Sequence, residues 1–407
     1  MKLIWLSHFL PFPPRGGAPQ RSFHLLREAS RRHETMLIAF NRPVVRGTAI
    51  EAYSTELRKV CAELEIWDLP YSWKGPQWWT GLLQNTMQTL PYACEIYRSD
   101  ALLQRWSDIL NGNPDALVHI DSSDLAVFVP AARNHRILLN HHNCESAMIE
   151  RRARAEPNPA KRLFLATQSR RQQALERTLC AEVAVNAVVS REDGDLLRVQ
   201  CPSAHVHVVA NGTDTSYFLP DPGVAKPGTL VFAGSLRWYP NVSGLRFFKN
   251  RIWPRLKQQL PDLQLILAGK DPVREIKEWA LSESAITLVP SPADIRPWIA
   301  KGAVFVCPVI DGGGTRLKLI DAMSSGKAIV TTKIGAEGLG MESGVHAMIA
   351  ESEDEFVDMT LRLLRDSSLA DLLSHNARGY VERHFSWEIL GADLEAAYAC
   401  TGSHRDA

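Results

Sequence analysis

Short apolar, β-branched runs alternate with loops and helix-like stretches along this chain, and that alternation restricts its fold more than any other feature. Lys2–Ser7 is a short apolar run suited to a buried strand. A Pro/Gly-rich loop follows over Pro11–Pro19, then a helix-like stretch from Gln20 to Arg32 and a second apolar run from Thr35 to Phe40. Strand, glycine loop, helix, strand is the opening of a parallel, doubly wound sheet. The pattern returns with Leu117–Ile120 and Arg136–Asn140 as strands and Leu163–Leu179 as a helix, while Val183–Ser190 and Val206–Ala210 are again short and β-branched. Between these, Tyr71–Trp106 is rich in Trp, Leu and Tyr, with helical spacing in its second half.

Asn211-Gly212 is a strong turn signal directly after a strand, and Phe218, Pro220, Asp221 and Pro222 follow it. A second alternating set then begins. Thr229–Gly234 reads as a strand, Leu245–Gln259 as a helix and Leu263–Gly269 as a strand. Ile286–Val289, Ala303–Pro308 and Ala328–Thr332 complete a parallel sheet, and Glu353–Ala399 is largely helical. A length of 407 residues suits two such domains. The expected organisation is an N-terminal Rossmann-like domain over 1–210 and a C-terminal one over 211–387, with a last helix at about 388–407 returning to the first. Ligands of such sheets sit at the carboxyl ends of the strands, so a cleft between the two domains is expected to hold the site.

Lys plus Arg total 46 against 45 Asp plus Glu, so the basic excess or stripe of a nucleic-acid binder is missing. The seven cysteines are irregularly placed without a CxxC pair, which excludes a zinc knuckle and a dithiol redox site and suits reduced thiols. The N-terminal apolar run meets Pro11, Pro13 and Pro14 too soon to serve as a signal segment. No stretch approaches the apolar length of a membrane span. A cytoplasmic protein is expected, with peripheral contact at the inner face of the membrane left open.

The most informative segment runs from Pro308 to Lys327, Pro-Val-Ile-Asp-Gly-Gly-Gly-Thr-Arg-Leu-Lys-Leu-Ile-Asp-Ala-Met-Ser-Ser-Gly-Lys. Gly312, Gly313 and Gly314 follow a buried strand and precede a helix. Glycines there let main-chain N–H groups approach an anion, and the helix N-terminus adds favourable partial charge. Arg316 and Lys318 stand where they can neutralise a diphosphate, and Asp321, about two turns into the helix, where it can accept from ribose hydroxyls. A tight turn with solvated basic residues is the plainer alternative.

This segment resembles the donor-site signature of the retaining glycosyltransferases of family 4, in the branch whose motif reads Gly-Gly-Gly-Thr-Arg-x-Lys. Phe232-Ala-Gly-Ser-Leu-Arg-Trp-Tyr-Pro-Asn241 resembles that branch's first C-domain strand and loop. Asn211-Gly-Thr-Asp214 resembles its interdomain turn, and Ile334-Gly-Ala-Glu-Gly-Leu339 the loop after its next strand. The resemblance covers nearly the whole chain and implies a GT-B fold, two Rossmann-like domains with parallel sheets facing across a cleft. It also implies a metal-independent, retaining transfer from a nucleotide-diphospho-sugar, with no further cofactor. Of the family's two glutamates, the first falls at Gly313 and the second at Asp321. The basic columns of its first C-domain loop fall near Ser235 and Asn241, so the charge work shifts to Arg316 and Lys318, with Arg237 as a helper; Thr315 belongs to the same donor-binding set.

In the N-domain, Arg15-Gly16-Gly17-Ala18-Pro19-Gln20 resembles the family's glycine loop, which puts Gly16 and Gly17 against the donor phosphates. Leu139-Asn-His-His-Asn-Cys-Glu-Ser146 resembles the branch's His-Asn-x-Glu motif. By position His142 is the candidate that contacts the donor sugar, with His141 close enough to be confused with it. Glu145 is the candidate that orients an acceptor hydroxyl, a helix-cap or salt-bridge role being the alternative. Ser190-Arg191-Glu192 looks like the family's Ser-x-x-Glu stretch and reads as structural.

Trp73, Trp78, Trp79, Tyr92, Tyr97 and Trp106 form an aromatic cluster with Lys74, Arg98 and Arg105 as sparse basic company. Core packing competes there with interfacial anchoring. The expected acceptor is a glycan or a lipid-linked or other cell-envelope molecule. Two alternatives to transfer stand beside it: a sugar-nucleotide 2-epimerase on the same scaffold, and a weakened sugar-nucleotide-binding partner subunit, motivated by Gly313 and Asp321.

Overall fold

A computed structural model describes every residue except 15, 42–44, 46, 70–84, 86–87, 222, 313 and 403–407. The chain divides into two compact units, residues 1–210 with 390–407, and residues 211–389.

Unit 1 is built on a parallel sheet of seven strands: β1 (Lys2–Ser7), β2 (Glu34–Asn41), β3 (Glu63–Asp68), β4 (Leu117–Ile120), β5 (Arg136–Asn140), β6 (Val185–Val188) and β7 (Val206–Val208). Their spatial order is β3-β2-β1-β4-β5-β6-β7. The sheet therefore winds outward in both directions from the β1–β4 pair, in which Leu3 to Leu6 lie beside Leu117 to Ile120. β1 and β4 are buried almost throughout, which is why their sequences are continuous apolar runs rather than alternating ones.

The first helix spans Gly17–Ser30 and begins earlier than the Gln20 start expected from sequence. Pro19 sits in its first turn, where a missing N–H costs no helical bond. The long helix expected at Leu163–Leu179 runs over Pro159–Glu182. Its start is set by Asn158, whose side chain accepts from the Lys161 N–H at 3.1 Å, followed by proline at the first helical position. Tyr97 and Trp106 are fully buried. The Trp106 indole N–H donates to the Phe128 carbonyl at 2.9 Å, and the Tyr97 hydroxyl to the His8 carbonyl at 3.1 Å. These two aromatics are core, and Trp73, Lys74, Trp78 and Trp79 lie outside the described residues.

Unit 2 repeats the winding with six parallel strands: β8 (Lys226–Ala233), β9 (Gln264–Gly269), β10 (Ile286–Pro290), β11 (Gly302–Cys307), β12 (Ala328–Thr332) and β13 (Met348–Ala350). The order is β10-β9-β8-β11-β12-β13. The single helix expected over Leu245–Gln259 is instead a helix over Tyr239–Phe247, a π turn over Phe248–Ile252 and a helix over Trp253–Gln259. Pro254 is the reason: it lacks an N–H and its ring crowds the carbonyl one turn back, so the backbone widens there. Ile334–Leu339, expected as a loop, opens with a one-turn helix, Lys333–Ala336, because the Thr332 hydroxyl accepts from the Gly335 N–H at 2.9 Å. The last helix spans Trp387–Cys400, and its residues from 390 on belong to unit 1. All seven cysteines are free thiols, with only Cys400 exposed.

Candidate active site

Each doubly wound sheet has one place where its winding reverses, and ligands collect at the carboxyl ends of the strands there. In unit 2 that place lies between β8 and β11. β8 runs into Gly234, whose φ of 149° favours glycine. The backbone approach beside it is close, since a Cβ on Gly269 would lie 1.6 Å from the Gly234 carbonyl oxygen. After β11, Gly312 and Gly314 both adopt positive φ, 103° and 74°, a turn open to glycine at no steric cost. A Cβ on Gly312 would also meet Pro240 at 2.8 Å. Gly313 lies outside the described residues.

The helix Leu317–Ser324 follows, with no acidic residue in its first turn and no side chain capping its N-terminus. Arg316 is the residue just before it. Its guanidinium is buried and turns back onto its own loop, donating to the Gly312 carbonyl at 3.0 Å and to the Gly314 carbonyl. Arg316 thus braces the glycine loop. Lys318 Nζ donates to the Asn241 side-chain oxygen and lies 5.0 Å from the centre of the Phe232 ring. The Asn241 amide in turn donates to the Ser235 carbonyl at 2.7 Å. The ammonium is therefore delivered by the helix to the very loop, 235–241, that carries no basic residue at the matching columns. Burial pushes Lys318 down to about 8. Arg237, on the same loop, is exposed.

Asp321 lies one turn into its helix, not two, because the helix starts only at Leu317. Its carboxylate accepts from the Thr213 hydroxyl at 2.6 Å. Thr315 accepts from the Asn211 side-chain amide. The Asn-Gly-Thr-Asp turn and the donor-type helix are thus bonded to one another within unit 2.

In unit 1 the winding reverses between β1 and β4, and the chemistry there is different. Asp121, one residue past β4, is fully buried and remains ionised. Burial works against its charge, but the His142 imidazole and the hydrogen bonds around it outweigh that and hold the carboxyl well below the usual range. Its Oδ2 accepts from Ser22 at 2.6 Å and Ser7 at 3.2 Å, and its Oδ1 from the Asn140 amide at 2.8 Å. Arg21 donates to the Asn140 side-chain oxygen at 2.8 and 3.2 Å and to the Ala210 carbonyl at 2.8 Å. His142 Nε2 lies 2.9 Å from the Asp121 carbonyl oxygen and 3.5 Å from its Oδ1.

The neighbouring histidines separate cleanly. His141 is buried against the Asn186 side-chain oxygen at 3.0 Å, and burial pulls it down to about 4. His119 is buried, stacked on Trp5 and 2.8 Å from the Tyr398 hydroxyl, and burial pulls it to about 3. His8, Asp121 and His142 form the metal-compatible cluster found among the described residues, with one ligand atom from each within 4.8 Å of the others. Gly16 precedes the first helix at a φ of 98° and Gly17 opens it, with no side-chain cap. Glu145 opens the helix Glu145–Ala155 and accepts from Asn143 at 3.3 Å. Burial, then the Asp124 charge, push it up to about 8. At neutral pH it is chiefly a neutral acid and therefore an O–H donor.

Sequence reasoning missed Ser7, His8, Arg21, Ser22, Asp121 and Asn140. A signal for four of them was present: the apolar strands β1, β4 and β5 each end in polar residues, Ser7-His8, Asp121 and Asn140. Arg21 and Ser22 read only as helix interior.

Residues 227–366 match the family model described as Glycosyl transferases group 1. Over 163 residues, 38% of this chain, it is 29% identical to an uncharacterized 44.6 kDa protein of the cps region of Klebsiella pneumoniae. Over 213 residues, 51% of the chain, it is 22% identical to the gpi3 subunit of the phosphatidylinositol N-acetylglucosaminyltransferase of Schizosaccharomyces pombe. The matched stretches span less than half the length of these two relatives, 42% and 46%. Sucrose-phosphate synthase from Thermosynechococcus elongatus superposes with a TM-score of 0.72 over 99% of this chain and all of its own, at 16% identity. HepE of Anabaena, solved with UDP, gives 0.66 over 98% of this chain and all of its own, at 15% identity. The fold is that of the GT-B glycosyltransferases. No helix among the described residues is long and apolar enough to cross a membrane.

Proposed function

We propose that this chain is a retaining, metal-independent glycosyltransferase of the family 4 type, moving a sugar, a hexose by resemblance, from a nucleotide-diphosphate donor to a glycan, lipid-linked or other cell-envelope acceptor. The observation that carries the reading is Lys318, a half-buried ammonium held over the β8 loop beside the glycine turn after β11, within the stretch that matches the family model. HepE of Anabaena, solved with UDP-glucose, supports a nucleotide-sugar donor.

Breaking the bond between sugar C1 and the diphosphate builds negative charge on the leaving group. Lys318, with the N–H groups of Gly314 and Thr315, answers that charge, the Gly312 N–H being held by the Asp311 carboxylate at 2.6 Å, and fixed donors of this kind are the largest catalytic contribution. Arg316 acts first by holding the loop in shape; Arg237 is the exposed helper. Asp321, already bonded to Thr213, presents its carboxylate to the nucleotide. By resemblance, unit 2 takes the donor and unit 1 the acceptor, with Gly16 and Gly17 assigned to phosphate, His142 to the donor sugar and Glu145 to an acceptor hydroxyl. The protein works in the cytoplasm, with peripheral contact at the inner membrane face where the acceptor is lipid-linked.

A weakened donor-binding subunit is the second reading, favoured by the Thr213 bond that already engages Asp321. Thermal-shift binding against nucleotides and nucleotide sugars, followed by turnover of the donor that binds, separates the two. Stabilisation by one nucleoside diphosphate and its sugar, lost in Lys318→Ala, with transfer to an acceptor, is the expected result. Binding without turnover selects the second reading, and no shift with any member at saturating ligand rejects both.

A further inference from the structure

Three strand ends meet at the winding reversal of unit 1, and they bring together more than the proposed sugar contact needs. His8 lies one residue past β1, Asp121 one past β4 and His142 two past β5. Asp121 is gripped by Ser7, Ser22 and Asn140, three donors that fix both carboxylate oxygens. Against that fixed group stands one nitrogen of His142. Nε2 has the Asp121 carbonyl oxygen at 2.9 Å and Oδ1 at 3.5 Å, and both are acceptors only. A nitrogen facing two acceptors must carry the proton.

We infer that Asp121 is a positioning residue for His142: its main-chain carbonyl holds the imidazole in the Nε2–H tautomer, its carboxylate clamps that proton from a second side, and Nδ1 is left as the atom that accepts from a sugar hydroxyl. The sugar in that statement rests on the function proposed above; the tautomer does not. His8 lies beside the His142 ring, with centroids 5.3 Å apart.

The same cluster has the composition of a divalent metal site, and electrostatics decide against that use. Asp121 supplies one negative charge, and the buried Arg21 guanidinium, joined to it through Asn140, already balances it. A divalent ion would add two uncompensated positive charges to a fully buried position, which burial penalises heavily.

The test begins with long-range nitrogen–proton spectra of the full chain carrying isotope-labelled histidine, the His142 signal being identified by its loss in His142→Ala. Wild type is expected to show the Nε2–H form, and Asp121→Asn the same tautomer, held by the main-chain carbonyl alone, with the Nε2 proton exchanging with solvent at least about tenfold faster. An Nδ1–H wild type, or an Nε2 proton whose exchange is indifferent to Asp121→Asn, overturns the inference without reference to turnover. Should Asp121→Asn fail to fold, Ser22→Ala loosens one oxygen and leaves the other grips in place.

Once a donor is found, a double-mutant cycle adds the functional arm. Asp121→Asn should lower kcat at least about tenfold at unchanged nucleoside-diphosphate affinity, yet change it less than about twofold in a His142→Ala background. Additive losses would mean that Asp121 acts otherwise than through His142. Stoichiometric Zn2+ binding to wild type, lost in His8→Ala, would also overturn the inference in favour of a metal centre. If no donor turns over while the spectra show the expected tautomer and exchange, the functional proposal fails and the positioning role stands.

Discussion

The two sheets share one winding and fill its reversal point with opposite chemistry. In unit 1 the β1–β4 reversal holds a buried carboxylate, a buried guanidinium and histidines kept neutral by burial. In unit 2 the β8–β11 reversal holds glycines at positive φ, an arginine folded onto its loop and a lysine with a depressed pKa. One site is a closed network of side chains that fixes geometry. The other is a glycine turn braced by Arg316 and flanked by Lys318, with the Asp311 carboxylate on the Gly312 N–H. A shared topology thus says where a ligand goes, and the residues at the strand ends say which ligand.

Four changes break or sharpen that comparison, taken from the largest effect down. Gly269→Ala drives a methyl into the Gly234 carbonyl, and unit 2 should lose more than about 4 kcal/mol. Gly194→Ala in unit 1 has as its nearest neighbours side-chain carbons at 3.2 and 3.4 Å and a guanidinium nitrogen at 3.5 Å, and should stay within about 1 kcal/mol of wild type. Urea unfolding read by hydrogen exchange in each unit checks both, and equal losses would erase the contrast in backbone packing. Arg21→Met leaves the Asp121–Asn140 pair without its balancing charge, at a cost of about 3–5 kcal/mol confined to unit 1. A variant as stable as wild type would show that the network tolerates an unpaired carboxylate.

Lys318→Met should raise the melting temperature at neutral pH, because it removes an ammonium whose depressed pKa opposes folding, while reducing turnover roughly 10²–10³-fold; a variant that keeps its turnover removes the cation from the mechanism. The pH dependence gives a smaller effect with a definite sign. Lys318 loses its proton at about 8 in the folded protein, so donor affinity should fall above that pH by up to about tenfold per unit. Lys318→Met should show no such limb. Over the same range stability moves the other way. The folded pKa lies below the ordinary value of 10.5, so between about 8 and 10.5 the unfolded chain binds more protons. The Lys318 contribution therefore improves as pH rises through that window, and Lys327, also pushed down to about 8 by burial, adds to it.

Much of the fold was legible because buried parallel strands are continuous apolar runs and their loops carry glycine. The donor-type segment was legible for the same reason: its glycines, Arg316 and Lys318 are adjacent in sequence. Element boundaries were missed where a local feature overrode composition, as with Pro254 and the π turn, or Thr332 capping Gly335. The unit 1 network was not legible, because Ser7, Arg21, Ser22, Asp121 and Asn140 are scattered over the sequence and meet only once the sheet has formed. A buried arginine inside an amphipathic helix looks like any solvated one until its partners, Asn140 and Ala210, are known.

The helix Trp387–Cys400 has a consequence for the order in which the chain is made. Leu390, Leu394, Ala397 and Tyr398 are buried in unit 1, with the Tyr398 hydroxyl against His119 and Glu395 paired with His33. A ribosome delivers residues 1–210 long before these arrive, and unit 2 in the interval. Domains fold as units during synthesis, so the half begun first is finished last. Until then the nascent chain carries an uncovered apolar face beside Trp5 and His119.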